Sequence, residues 1–315
     1  MTHLWMLLFD VFVVGGVCFM GAVVFLWRYR AQRSGKRSPL ARNLLRSPGE
    51  SLRAQIEDAQ WDIASFLAAG MLPLPTVLGL YFAIWVGGAG APSATTAVSL
   101  ALLALLTQCW LGWKLWKSLR RLDRLRLGHE AELAIGQELA ELGRAGFRIF
   151  HDFPAGDGRF NIDHVLVGPS GVFAVETKGR SKPGRKAATD TPWEVHYNGR
   201  VLQFPGWVET DPLMQAQRNS DWLRKWLSGA VGQPIAVEPV VALPGWFVRR
   251  ADGEGIPVLA GGQVQGYFAS RPRQPSMSTE LIQRIVHQLD QKCRDVAPRA
   301  YPQGADIRIR ASSLE

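Results

Sequence analysis

The stretch NIDHVLVGPSGVFAVETKG, residues 161–179, decides the fold of this chain. It contains two β-rich apolar runs separated by the turn sequence GPSG at 168–171, a pattern typical of two adjacent strands. Each run also carries charged residues at positions where a buried strand would ordinarily have Val or Ile. The sequence therefore predicts two neighbouring strands that bring polar side chains into a sheet.

The spacing of these charged residues predicts that they converge. Alternate residues of a strand lie on the same face of a sheet, so Glu176 and Lys178 share a face, and Asp163 lies with Val165 and Val167. Burial of two carboxylates and an ammonium group is unfavourable unless they bind something. Carboxylate oxygens at this density suit Mg²⁺ or Mn²⁺, which activates water and neutralises phosphodiester charge. We therefore expect a metal-dependent hydrolytic site.

A longer stretch of the sequence around this motif resembles the NERD (nuclease-related domain) family of the PD-(D/E)XK nuclease superfamily. Four motifs between about residues 128 and 245 carry the resemblance: GHEAELAIGQELAEL, GFRIFHDF, NIDHVLVGPSGVFAVETKG and DPLMQAQRN. The resemblance implies an α/β fold with a restriction-endonuclease-like mixed sheet flanked by helices. It also implies metal dependence and a role in DNA processing.

The resemblance further implies catalytic roles for five residues: Asp163, Glu176, Lys178, Glu132 and Gln215. Asp163 in IDH and Glu176 in ETK match the metal ligands of the family, which would take Mg²⁺ or Mn²⁺. Lys178 matches its active-site lysine, which would orient or deprotonate the attacking water or stabilise the transition state.

Two helical positions complete the set of residues that the resemblance implies. Glu132 matches the glutamate of the first helix, although Ala131 stands where the family usually has Gly. Glu138 flanks the same apolar stripe and is the alternative carboxylate. Gln215, in DPLMQAQ, matches a Gln near the start of the second core helix and would contact the metal-bound water or the substrate backbone.

Some of these features have a second interpretation. Glu176 and Lys178 also fit a solvent-exposed cross-strand ion pair. His164 lies opposite Asp163 in the alternation, so we expect a structural histidine rather than a general base. His151 and Asp152 either shape the site or end a strand, and we favour the strand end.

The segment after the motif is basic and aromatic. Trp193 and Trp207 either stack on bases or pack within the insert. The basic residues either guide a phosphate backbone or form an exposed loop; they are Lys178, Arg180, Lys182, Arg185 and Lys186.

The N-terminal part of the chain has the pattern of a membrane protein. Three segments, at about 4–27, 65–86 and 97–117, are apolar enough to be transmembrane helices. Residues 1–127 hold 14 Lys and Arg against 6 Asp and Glu, so most of the basic excess of the chain flanks apolar segments. Membrane topology explains this positive charge, so nucleic-acid binding is not needed to account for it. A buried helical hairpin in a soluble protein is the alternative for the second and third segments.

The distribution of positive charge predicts the orientation. Residues 28–53 contain eight Lys and Arg and residues 114–126 contain six, whereas residues 87–96 contain no charge. The positive-inside rule then places the N-terminus outside and the C-terminal half in the cytoplasm, in a bacterial inner membrane. The predicted domains are an anchor at 1–127 with a basic cytoplasmic loop, a nuclease-like domain at 128–297, and a flexible tail at 298–315.

The three cysteines of the chain, Cys18, Cys109 and Cys293, are too few for a disulfide framework and lack CxxC spacing. A zinc site built on cysteine is therefore not expected.

The sequence predicts a membrane-anchored, divalent-metal-dependent nuclease that hydrolyses DNA phosphodiester bonds at the cytoplasmic side. Its partners would be DNA and the lipid bilayer. The alternative is a catalytically inactive nucleic-acid- or protein-binding module tethered to the membrane. That alternative draws on the near-neutral charge of residues 128–315, with 22 Lys and Arg against 21 Asp and Glu. A third hypothesis, a transporter or sensor, draws on Asp10 within the first apolar segment.

Overall fold

The structure is a computed structural model, and it describes Leu26 and residues 42–86, 91–183, 191–250 and 255–296. The described residues belong to two compact units. One unit contains those of 58–121, and the other contains those of 43–57 and 122–296. The sequence assigns 43–57 to the anchor, whereas in the structure this short segment packs with the second unit.

In the N-terminal half, the described residues include helices α1 at Glu50–Gly70, α2 at Pro73–Ile84 and α3 at Ala94–Ala140. The break between α1 and α2 falls at Met71 and Leu72. Proline explains it, because Pro73 has no N–H to donate and disfavours a helical conformation at the residue before it. The predicted transmembrane segment at about 65–86 includes this break.

Two stretches of the described chain, Glu50–Ile84 and Ala94–Ala145, are long and apolar enough to cross a membrane by length and composition. They include the second and third predicted spans and give weak support for membrane association. The first predicted span at 4–27, with Asp10 and Cys18, lies outside the described residues, as does the predicted tail at 298–315. The three predicted transmembrane helices are therefore not confirmed as a set.

Helix α3 is longer than any bilayer requires. Its 47 residues extend about 70 Å at 1.5 Å per residue, against a hydrocarbon core of about 30 Å. Its part from Leu122 onward belongs to the second unit. A 3₁₀ turn at Glu141–Ala145 follows, and Gly146 ends it with a left-handed φ of 86°.

The second unit is a mixed α/β structure. Its described strands are β1 Arg148–Ala155, β2 Phe160–Gly168, β3 Gly171–Thr177, β4 Glu194–Tyr197, β5 Leu202–Phe204, β6 Trp207–Glu209, β7 Val237–Leu243, β8 Phe247–Arg250 and β9 Val258–Ala260. Its further helices are α4 Asp211–Val231, α5 Val264–Ala269 and α6 Thr279–Cys293. Around the site the order of elements is helix, three strands, insert, helix and strand.

The strands form two sheets. The larger has the order β1-β2-β3-β7-β9, in which β1, β2 and β3 are antiparallel and β7 and β9 run parallel to β3. The smaller has the order β6-β5-β4-β8 and contains the insert, including the antiparallel pair of β4 and β5. The prediction of a mixed sheet flanked by helices is confirmed, with a second sheet in addition.

Helices cover both faces of the larger sheet. On one face, α4 and α6 contribute Leu223, Leu227, Ile285 and Leu289 to a core cluster. On the other, α3 and α5 contribute Ile135, Leu139 and Phe268 to a second cluster. Each such side chain adds about 1.5–3 kcal/mol when it is fully buried. The two clusters clamp β2 and β3 between helices, so the charged residues at the ends of these strands are held in a packed setting.

Candidate active site

The first component of the site is Asp163, where β2 and β3 separate. The antiparallel ladder pairs Val165 with Ala174 and His164 with Val175, and it stops there. The next hydrogen bond is made by a side chain, because the Thr177 N–H donates to Asp163 Oδ2 at 2.6 Å. The two strands are thus neighbours, as the sequence predicted, and the Asp163 carboxylate stands beside the end of β3.

The second component is the pair Glu176 and Lys178 at the end of β3. Glu176 is 1% exposed, and its Oε1 lies 2.7 Å from Lys178 Nζ in an ion pair. Lys178 continues along β7, since its N–H donates to the Ala242 carbonyl at 3.0 Å. The pair is therefore not a solvated strand face, which was the alternative interpretation from the sequence.

Helix α4 supplies the third component through two side chains one turn apart. Lys178 Nζ donates to Gln215 Oε1 at 3.0 Å, and Asn219 Nδ2 donates to Glu176 Oε2 at 2.8 Å. Residues i and i+4 share a helix face, so Gln215 and Asn219 hold the two members of the ion pair from one side. The sequence analysis did not single out Asn219, although the motif DPLMQAQRN ends on it.

The fourth component is Glu132 on α3, brought in by a close helix–strand contact. Gly179, directly after the strand end, lies so close to α3 that an added Cβ would be 2.6 Å from the Leu127 carbonyl oxygen and 3.0 Å from Ala131 Cβ. Glu132 follows Ala131 and is buried. Glu138 lies nearly two turns further along the helix and is half-buried. Of the two candidate carboxylates, the structure brings Glu132 to the cluster.

Electrostatics show that these carboxyl groups interact. Burial, with the charges of Asp152 and Glu176, raises the pKa of Glu132 to about 8. Burial, with the charges of Glu176 and Glu132, raises the pKa of Asp163 well above its usual range. Burial also raises the pKa of Glu176, although Lys178 and Asn219 oppose the shift. The Glu176 carboxylate therefore makes ionisation of both Glu132 and Asp163 less favourable, a situation that a bound cation would relieve.

The donor chemistry fits a hard divalent cation. Glu132 Oε2 is buried without a hydrogen-bond partner, and the contact of Glu176 Oε1 with Lys178 lies outside hydrogen-bond geometry. Within the ranges that the structure describes, no group of three or more His, Cys, Asp or Glu side chains has the geometry of a metal site. An ion here would thus rely on the two carboxylates of Asp163 and Glu176 with water in its remaining positions, as Mg²⁺ commonly does.

Asp152 also lies at the site, so the favoured prediction that it ends a strand is wrong. It lies inside β1, not at a strand end, and it is buried with a left-handed φ of 47°. The pairs of His151 with His164 and of Phe153 with Ile162 flank it, so it stands across from Asp163. Non-glycine residues in this conformation are uncommon and are retained where surrounding contacts fix them.

The left-handed residue also changes which side chains share a face. Phe150 and Phe153, three positions apart, enter the same core cluster, and so do Ile162 and Val165 on the neighbouring strand. Strict alternation does not continue past Asp152 and Asp163.

The remaining candidate residues are not part of the carboxylate cluster. His164 is fully buried, and its Nδ1 lies 2.8 Å from His151 Nδ1. Trp207 stacks on Phe204 with ring centroids 4.7 Å apart, which places it in the core of the insert. Trp193 is exposed.

Of the basic run, Arg180 forms a two-pronged ion pair with Glu209. It thereby joins the end of the site strand to the second sheet. Lys182 is exposed, whereas Arg185 and Lys186 lie outside the described residues.

The fold and the cluster define a nuclease-like α/β domain. Residues 127–244 match the family model for NERD, the nuclease-related domain. This part of the chain is therefore a nuclease-related domain, and the resemblance inferred from the motifs is confirmed. The chain matches no curated protein and no solved structure in the two other comparisons.

Proposed function

We propose that this protein is a membrane-anchored, divalent-metal-dependent nuclease that hydrolyses phosphodiester bonds of DNA on the cytoplasmic side. The observation that carries the proposal is the convergence of Asp163, Glu176 and Lys178 at the strand ends, with Glu132 beside them. A buried carboxylate cluster with an amine in contact is costly to maintain without a ligand, and a nuclease-related domain provides the chemical context.

In this proposal Asp163 and Glu176 hold Mg²⁺ or Mn²⁺. The ion, when bound, would lower the pKa of a water ligand and neutralise charge on the phosphate. Thr177 fixes one oxygen of Asp163 through its N–H, and Asn219 fixes one oxygen of Glu176. Each carboxylate thus keeps one oxygen that is not held by these bonds.

Lys178 supplies the positive charge next to the reacting phosphate. Glu176 and Gln215 together fix its ammonium group, which lowers the conformational entropy that is lost when the group engages a substrate. The Lys178 side chain is 19% exposed, so it is the member of the ion pair that a phosphate reaches. Glu132 is the third carboxyl group of the site, and its raised pKa of about 8 keeps it protonated at neutral pH without metal.

The experiment is a cleavage assay on the full chain purified from membranes in detergent. Supercoiled, linear double-stranded and single-stranded DNA are incubated with Mg²⁺, Mn²⁺ or EDTA. We expect cleavage with either metal, none with EDTA, and none with Glu176→Ala. Glu141→Ala is the matched control, because Glu141 is exposed and contacts Arg144 on the surface. Equal cleavage by wild type and Glu176→Ala would contradict the proposal.

A second candidate function is a tethered binding module without catalysis. Two observations favour it: residues 128–315 are nearly neutral in charge, and the described residues hold no three-ligand metal cluster. DNA retention that is insensitive to EDTA, with no product formed, would support this function over the first.

A further inference from the structure

The segment Asn43–Ser51 lies about 75 residues before the nuclease-related match and yet contacts the candidate site. Its Leu44 pairs with Val296 in both directions, at 2.8 and 3.2 Å between backbone N and O atoms. The Arg46 N–H donates to the Cys293 carbonyl at 3.2 Å. The segment is thus attached to the C-terminal end of α6 by backbone hydrogen bonds, and it belongs to the same compact unit as the site.

From this attachment, three donors of the segment reach Asp152. Ser51 donates twice, from its N–H to Oδ2 at 2.8 Å and from its hydroxyl to Oδ1 at 2.6 Å. Arg46 Nη1 donates to Oδ2 at 2.8 Å, while Nε and Nη2 of the same guanidinium bind Asp295. Asn161 Nδ2 completes the set at 3.0 Å. Asp152 is therefore saturated with hydrogen bonds that come mostly from outside the matched domain.

The Ser51 N–H is one of the first amides of α1, and these have no acceptor within their own helix. Asp152 thus caps α1 across 101 residues of sequence. The positive end of the helix dipole points at this carboxylate, and the bonds from Ser51 and Arg46 oppose the rise in the Asp152 pKa that burial causes. The same turn lies close to Glu132, because the backbone of Gly49 is among the groups that lower the pKa of that carboxyl group.

Two packing contacts fix this turn on the surface of α3. A Cβ on Gly49 would lie 2.7 Å from the His129 ring, and Gly49 has a left-handed φ of 68°. Pro48 fills the space at Gly136, where a Cβ would meet its ring at 2.6 Å. The turn therefore spans one face of α3 from His129 to Gly136, directly over Glu132.

We propose that the segment Asn43–Ser51 is an integral part of the active site, and that Arg46 and Ser51 are positioning residues which hold Asp152 and, with it, the strand backbone across from Asp163. This inference rests on the proposed nuclease function for its catalytic consequence. The docking of the segment beside the site is independent of that function.

The test uses the full chain in detergent, with Ser51→Ala and Arg46→Ala as the variants. Arg42→Ala and Ser276→Ala are matched controls, because Arg42 and Ser276 are exposed and lie outside the segment Asn43–Ser51. Ser51→Thr retains a hydroxyl and serves as the rescue. Two readouts are taken: hydrogen exchange of peptides covering 43–53, 129–136 and 150–163, and kcat and KM for DNA cleavage.

We expect faster exchange in all three peptides for Ser51→Ala and Arg46→Ala, but not for the two controls. We also expect kcat to fall about ten-fold with KM unchanged, the size of a lost charge-assisted hydrogen bond. Ser51→Thr should restore kcat.

The two readouts separate the possible failures. If wild type does not cleave DNA but the exchange pattern holds, the nuclease function fails and the docking of the segment stands. If exchange at 129–136 and 150–163 is the same in the variants and the controls, the positioning role is overturned, whatever the activity. If exchange changes but kcat does not, the segment is structural and not part of the site.

Discussion

At the scale of single residues, the site is an arrangement in which every charged group has a defined neighbour. Glu176 is fixed by Asn219 and paired with Lys178, which in turn is held by Gln215. A buried polar group that loses its partner costs more than the bond itself contributes. Single substitutions around Glu176 should therefore have large effects on stability and activity.

Asn219→Ala tests the support of Glu176. It removes the donor to Glu176 Oε2 and leaves a buried carboxylate oxygen without a protein partner, which should destabilise the fold by about 1–3 kcal/mol. Cleavage activity should fall with it, because the carboxylate is no longer fixed. Thermal unfolding followed by tryptophan fluorescence and the DNA assay check both effects. Gln217→Ala on the exposed side of the same helix is the control, and an equal loss in the two variants would contradict the prediction.

Glu132→Gln tests the raised pKa at this position. The pKa of Glu132 is higher in the folded state, about 8, than its ordinary value of 4.5. The contribution of this carboxyl group to the free energy of unfolding is therefore fully present below pH 4.5 and is lost as pH rises to about 8. Glutamine does not ionise, so Glu132→Gln should gain stability relative to wild type between pH 5 and pH 8. Melting temperatures in EDTA across this range provide the measurement, with Glu138→Gln as a substitution outside the cluster. A difference between wild type and Glu132→Gln that stays constant with pH would contradict the assignment.

At the scale of elements, the site depends on how closely α3 approaches the end of β3. Gly179→Ala introduces a Cβ about 2.6 Å from the Leu127 carbonyl oxygen, and overpacking against backbone typically costs about 1–3 kcal/mol. Because this shift separates Glu132 from Glu176, activity should decrease more than the melting temperature indicates. Gly143→Ala is the control, since an added Cβ there meets nothing within 4 Å. Activity that equals that of the control would show that the contact does not position Glu132.

The histidine pair of β1 and β2 should control stability on the acid side. Burial lowers the pKa of His151 from 6.5 to about 4, and burial with the charge of His151 lowers the pKa of His164. A histidine whose pKa is lowered by folding stabilises the fold above pH 6.5, and this stabilisation is lost as the pH falls towards 4. The double variant His151→Leu/His164→Leu should therefore lose less stability than wild type between pH 7 and pH 5. Melting temperatures test this, with exposed His287→Leu as the control, and parallel curves for wild type and double variant would refute it.

At the scale of the whole molecule, the chain joins a nuclease-related domain to two helices that are apolar enough for a membrane. If these helices only anchor the domain, an unrelated two-helix membrane anchor in place of residues 58–121 should retain both DNA cleavage and recovery in the membrane fraction. A replacement that extends back to residue 43 should lose cleavage, because it removes Arg46 and Ser51. Carbonate extraction of membranes and the DNA assay separate the two outcomes. Loss of cleavage in the shorter replacement would instead assign a functional role to the helices.

The sequence by itself determined the local chemistry. The turn GPSG between two β-rich runs predicted a hairpin, and the spacing of Asp163, Glu176 and Lys178 predicted that charged groups meet at its end. Both features depend on neighbours close in the chain, where strand alternation and turn preference govern the geometry.

Only the tertiary structure decided the rest. Asp152 takes a left-handed conformation that interrupts strand alternation, and contacts from Arg46 and Ser51, more than 100 residues away, surround it. No local pattern encodes such contacts, because they arise when separate segments pack and satisfy one another's buried polar groups. The choice of Glu132 over Glu138 was likewise made by the approach of α3 to Gly179, a property of packing rather than of spacing along the helix.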